Sequence, residues 1–143
     1  MADYYTQFSI AISNTDESIT WLATLLTEPD KHDDAMKAIM AEIGFADPDA
    51  PFYDLTVMRG QGEYANTLYI YTEESFDMDA FAVAVQGWLR HFKIPHAVYF
   101  TWAGTCSRPK TDAYTGGGCI IYHDSIMWMD ARSWITENLR KEA

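Results

Sequence analysis

Near its start the chain alternates. Phe8, Ile10 and Ile12 are separated by Ser9 and Ala11 and preceded by Gln7, the two-residue period of a half-buried strand. The period then lengthens. Asn14 is followed three residues later by Glu17, a capping pair, and Ile19, Leu22, Leu25 and Leu26 form the apolar stripe of a helix. Pro29 and the charged stretch EPDKHDD interrupt that stripe, after which Met36, Ile39, Met40 and Ile43 predict a second short helix ended by Gly44. One crossover therefore carries two helical pieces.

FADPDAP, with two prolines and two aspartates, marks a loop. A strand is predicted at about 53–58, a turn at RGQGEYAN and a returning strand around Leu68 and Ile70, which together make a hairpin. Ser75 or Asp77 caps a helix whose Phe81, Val85, Trp88, Leu89 and Phe92 share one face, and Ile94 and Pro95 stop it. HAVYFTWA carries almost no charge and suits the middle of a sheet. CIIYH and IMWM read as two short strands around a turn at His123, Asp124 and Ser125. Asp130 caps a last helix running into the cationic RKEA tail, where Arg140 and Lys141 complement the helix dipole.

The order β-α(α)-β-β-α-β, then β-β-α, predicts an α+β class. Its first part matches the ferredoxin-like split βαβ core, extended by a C-terminal β-hairpin and helix. A mixed sheet with helices on both faces is the alternative topology. At 143 residues, with no repeat or linker, residues 1–143 read as one domain.

Charge is distributed unevenly along the chain. Ten basic against twenty-one acidic residues give a net charge of −11, and residues 1–50 alone hold ten acids and two bases, a net −8. Residues 101–143 hold five of each and are neutral. No cluster of Lys and Arg is present to displace counterions, which argues against direct nucleic-acid binding. An acidic face instead suits a basic partner protein, although solubility alone also explains acidity. No charge-free run is long enough to span a bilayer, and MADYYTQFS has no secretory character, so a cytoplasmic protein is expected.

One loop stands out. TWAGTCSRPKTDAYTGGGC, residues 101–119, puts an Arg, a Lys, a Cys and three glycines between two apolar strands. Its T-W-A-x-T-C-S-x-P and G-G-G pattern resembles a group of small uncharacterised proteins carried by bacteriophages and mobile elements, over roughly residues 98–128. The resemblance implies a phage-type accessory protein in a bacterial host, a context in which interference with a host process is common. It carries no activity.

Gly116, Gly117 and Gly118 allow positive φ and close backbone approach, so their N–H groups could form an anion-binding concavity with charge from Arg108 and Lys110. No helix follows, so neither a P-loop nor a dinucleotide fingerprint is present. The structural alternative is that the glycines let the next strand pass Trp102. Cys106 would be a nucleophile only with a base such as His123 or His96 in reach; otherwise it is a small buried hydrophobe. Cys106 and Cys119 do not make a disulfide framework. Cys119 and His123, about 13 Å apart on one strand face, cannot share a metal ion, and no histidine spacing suggests zinc. Glu28, Asp30, Asp33 and Asp34 lack EF-hand spacing, so no metal or cofactor is expected.

Tyr4, Tyr5, Phe45, Phe52, Tyr53, Tyr64 and Tyr114 fall in predicted loops or ends and resemble interface composition, though many suit core edges. Two function classes follow. The first is a non-enzymatic inhibitor, of anti-CRISPR or anti-restriction type, that meets a basic host protein through Glu28, Asp30, Asp33, Asp34, Asp47, Asp49, Phe52, Tyr53 and Asp54. The second is an anionic-ligand protein or enzyme centred on the loop, using Trp102, Thr105, Cys106, Ser107, Arg108, Lys110 and Gly116 to Gly118. A homodimer through the last hairpin or the exposed aromatics is compatible with either.

Overall fold

The computed structural model describes residues 4–28, 33–44, 52, 54–74, 76–107 and 114–140. In chain order it forms β1 (Tyr4–Ser13), α1 (Asp16–Thr27), α2 (Asp34–Ile43), β2 (Thr56–Arg59), β3 (Thr67–Thr72), α3 (Met78–His91), β4 (Val98–Cys106), β5 (Thr115–Ile121), β6 (Ile126–Asp130) and α4 (Ala131–Asn138), with a 3-10 turn at Gly62–Tyr64. The six strands make one sheet in the order β2-β3-β1-β4-β5-β6. Every pairing is antiparallel. The protein is α+β with a C-terminal strand pair and helix, and the mixed-sheet alternative does not occur among the described residues.

Strand alternation sorts the side chains into two layers. Phe8 faces Trp102 and Thr72 across the ladder, Ile12 faces Leu68, and Phe100 faces Cys119, so these residues share one side of the sheet. That side meets the helices. Ile19, Leu22, Leu25 and Leu26 of α1, Met36, Ile39 and Met40 of α2, and Phe81, Val85, Trp88 and Leu89 of α3 join it in one buried cluster. Phe8, Phe81 and Phe100 meet edge to face at 5.2–5.7 Å between ring centroids, and Trp88 donates its indole N–H to the Ser18 carbonyl at 2.9 Å. Each apolar stripe expected from the sequence thus covers the same face.

The element ends differ in detail from the sequence reading. Thr15, not Asn14, caps α1, accepting from the Ser18 N–H, while the Asn14 side chain accepts from the Thr15 N–H and the Ser18 hydroxyl. Asp77 caps α3, and the alternative cap Ser75 lies outside the described residues. Gly44, at φ +85°, closes α2 in the left-handed conformation its missing Cβ permits. Asp130 caps α4 as expected, with Ser133 hydrogen bonds holding its carboxyl below the usual range. That helix ends at Asn138, however, and Leu139 is already extended, so Arg140 does not sit in its last turn; Lys141 lies outside the described residues.

The largest correction concerns the triple glycine. Gly116, Gly117 and Gly118 lie inside β5, paired with Ala103, Trp102 and Thr101, and none has positive φ. A Cβ on Gly117 would overlap the Met129 carbonyl oxygen and come within 2.9 Å of Trp102 Cζ2, because the end of β6, where Asp130 pairs with Gly117, runs close against it. A Cβ on Gly118 would meet only the Phe100 carbonyl at 3.5 Å, an ordinary contact. Gly117→Ala should therefore destabilise the fold by about 1–3 kcal/mol, and Gly118→Ala by less than about 1 kcal/mol, in urea unfolding. Equal effects would contradict this placement.

Candidate interaction surface

The face of the sheet turned away from the helices is open, and its composition is unusual for so acidic a chain. Tyr69, Tyr71, Tyr99, Ile120, Met127 and Met129 project from it with exposures of 36–72%. Between them stand small or uncharged residues: Gln7, Ser9 and Ala11 on β1, Thr101 and Ala103 on β4, Gly116 and Gly118 on β5. No strand position on this face carries a charge. Outward sheet positions in contact with water alone usually include Lys and Glu. Here Tyr and Met, residues enriched where proteins meet, take those places.

A furrow divides the face. β1 and β4 pair from Tyr4–Cys106 to Phe8–Trp102, and there the ladder stops although β1 continues to Ser13 and β4 begins at Val98. The strands diverge into a cavity of about 450 Å³, walled by Ser9 to Ser13 and by Val98 to Thr101, with Trp88, Leu89 and Ile94 below. Backbone groups of two central strands face each other across it without pairing. At the other end of β1, Glu73 and Glu74 border the face, where their carbonyls accept from the Gln7 side chain at 2.6 Å and the Thr6 N–H at 2.8 Å. Both glutamates are exposed, which gives a neutral surface an acidic rim.

The acidic residues singled out from the sequence lie elsewhere. Glu28 ends α1, and Asp33 and Asp34 begin α2, on the helix side of the sheet. Asp33 serves the fold itself. It caps α2 through the Met36 N–H at 2.9 Å and accepts the Trp21 indole N–H at 2.8 Å. Trp21 in turn stacks on His91 of α3, with ring centroids 4.6 Å apart. Slight desolvation disfavours the charge of the exposed Asp33, but the hydrogen bonds from Met36 and Trp21 and the nearby His91 outweigh it and hold the carboxyl below its ordinary range. Asp54 is exposed. Phe52 is not available to a partner, since it is 4% exposed and belongs to the core. Asp30, Asp47, Asp49 and Tyr53 lie outside the described residues.

The described part of the loop-centred ligand set lies mostly on two paired strands rather than in a loop, with Trp102 opposite Gly117. Thr105 and Cys106 belong to β4 rather than to a loop, Trp102 and Thr105 are half-buried, and Ser107 is exposed just beyond the strand. Gly116 to Gly118, being extended, form no anion-binding concavity. Arg108 and Lys110 lie outside the described residues. Cys106 is buried at the β4 end paired with Tyr4, whereas Val98, at the other end, pairs with Ile121. His96 and His123 flank that far end, so each stands on the order of 25 Å from the thiol. Cys119 is buried too, and burial, aided by Asp79, pushes its thiol up to about 11. Both cysteines are free.

Among the described residues no group of three or more His, Cys, Asp or Glu converges to hold a metal ion, and no helix is long and apolar enough to cross a membrane. Trp102 Nε1 is buried without a hydrogen-bond partner, beside a cavity of about 360 Å³ that it lines with Trp128 and Trp134. Of the aromatics singled out from the sequence, Tyr4, Tyr64 and Tyr114 are exposed, but Tyr69, Tyr71 and Tyr99 on the open face were not among them. The signal available was the absence of Lys and Glu from every outward strand position. Comparison with protein-family models, curated proteins and solved structures found no match for this chain.

Asp33→Ala should lower stability by about 1 kcal/mol near neutral pH, and Asp33→Asn by less, because Asn still caps. A carboxyl with a lowered folded pKa stabilises above its unfolded value, near 4, and loses that contribution as pH falls through the folded value. The deficit of the Ala variant should therefore shrink on acidification; a pH-independent deficit in thermal unfolding would contradict the assignment.

Proposed function

We propose that the protein is a non-enzymatic binding protein that docks a partner protein through the open, uncharged face of its sheet, with the acidic remainder steering a basic partner toward it. The observation that carries this reading is the charge-free Tyr and Met face, furrowed between β1 and β4, in a chain of net charge −11. Burial of Tyr and Met supplies contact energy without the desolvation cost of carboxylates, and long-range attraction to the acids raises the association rate. Exposed Glu73 and Glu74 would meet Lys or Arg at the rim of such a contact.

The sheet order β2-β3-β1-β4, antiparallel throughout, supports a ferredoxin-like core within the larger sheet. The acidic balance and the phage-type resemblance of residues 98–128 support a role in the cytoplasm of a bacterial host, inhibiting a nucleic-acid-handling or defence complex whose protein surface is basic. The loop-centred enzyme reading has less to stand on, given where Cys106, His96 and His123 lie.

Affinity capture from host lysate tests this reading when wild type is compared with Tyr71→Lys/Tyr99→Lys and with Glu73→Lys/Glu74→Lys. A specific partner should be lost from the Tyr variant by about 30-fold or more in affinity. The Glu variant should bind more weakly at low salt, and the difference should fade as salt rises. Equal capture by the Tyr variant, folded as judged by circular dichroism, would overturn the assignment of the face.

A further inference from the structure

Among the described residues the sheet has a second unpartnered region, at its β6 edge. β6 is five residues long, and from Ile126 to Met129 it has no charge, proline or bulge to deter pairing. The opposite edge is guarded: β2 ends in Arg59, whose guanidinium reaches across to Asp16 and Thr20 of α1. Every second residue of β6 turns its N–H and C=O away from β5, into solvent.

Apolar side chains surround this edge. Met127, Trp128, Met129, Trp134, Ile135 and Leu139 are 43–73% exposed. Together they present on the order of 600 Å² of apolar surface, at or above the largest patch of a typical monomer. α4 adds a second argument. It has eight residues and buries none of them. Isolated helices of that length are marginal in water, and although α4 touches β5 and β6, its Trp134, Ile135 and Leu139 stay more than half exposed among the described residues.

Charge selects the occupant. Residues 1–50 carry a net −8, whereas residues 101–143 are neutral. α1 lies over β2 and β3, at the far side of the sheet from β6. Five strand spacings, roughly 24 Å, separate the two edges, more than twice the Debye length at physiological salt. A contact at β6 thus lets two such acidic chains approach with their acidic portions well apart.

We propose that β6 and α4 form a self-association surface, in which the β6 strands of two copies pair antiparallel about a two-fold axis and join their sheets, while each α4 packs its Trp134 and Ile135 against the partner's β6 edge. The occupant is a second copy of this chain. With the dyad at Trp128, Met127 of one copy lies opposite Met129 of the other, an apolar pairing free of like charges. The exposed apolar area approaches the roughly 800 Å² per partner of a stable interface, and the strand backbones supply the remainder. Tyr69, Tyr71, Tyr99 and Ile120 of the open face stay free, while Met127 and Met129 at its margin enter the seam, so the dimer would display two copies of the Tyr-rich face on one continuous sheet.

Sedimentation velocity of the full chain over a concentration series tests this. Wild type should run at twice the chain mass, Met127→Lys/Trp134→Glu should raise the dimer dissociation constant by about 30-fold or more, and Tyr71→Lys/Tyr99→Lys should leave it unchanged. Hydrogen exchange of wild-type residues 126–130 gives a reading that needs no variant to fold: protection should increase with protein concentration. A monomeric wild type, a dimer lost only in the Tyr variant, or exchange at β6 independent of concentration would each overturn the proposal.

Discussion

The helix layer reaches less far than the sheet it covers, and much of the molecule follows from that mismatch. α1 lies over β2 and β3, and α3 reaches β5, with α2 packed against α3 where Ile39 meets the bare backbone of Gly87. Ile70 and Ile121, on the covered side of β3 and β5, are fully buried. Trp128, on the same side of β6, remains 43% exposed, because only the eight-residue α4 is left to shield it. On the other side of the sheet no described helix is available at all. Two apolar surfaces therefore remain after the fold has satisfied its core.

Those surfaces differ in kind. The open face is broad, polar in its small residues and apolar in its Tyr and Met, and a furrow exposes backbone groups at its centre. The β6 edge is narrow, richer in Trp and continuous with unpaired strand backbone. The acids stand at their margins or away from them: Glu73 and Glu74 rim the open face, Asp130 ends β6, and Asp33 and Asp34 lie on the helix side. In the proposed reading, charge governs approach and uncharged side chains supply the contact. Asp33 illustrates the division, since its carboxylate is committed to the α2 cap and to Trp21 rather than to a partner.

Much of this was legible in the sequence because the buried side of each element obeys a simple period. The Leu stripe of α1, the Met and Ile stripe of α2 and the Phe81-to-Leu89 face of α3 all bury as their spacing predicts. The Asp130 cap and the turn before Ile126 were readable for the same local reason. What escaped depended on distant neighbours. Three consecutive glycines read as a loop, and only the close approach of Met129, Asp130 and Trp102 explains why the strand needs a glycine at 117. Phe52, beside a loop of aspartates, read as exposed, yet it packs into the core. Tyr69, Tyr71 and Tyr99 were lost among strand residues because local pattern does not say which sheet face remains uncovered.

The claim that the working surface is the open sheet face can be tested directly by hydroxyl-radical footprinting, comparing the purified chain with the chain in host lysate. Oxidation of Tyr71, Tyr99 and Ile120 should fall in the lysate, while the exposed Lys37 and Glu42 on α2 should be unaffected. Protection confined to α1 and α2, with the three sheet residues as reactive as in the purified protein, would contradict the account.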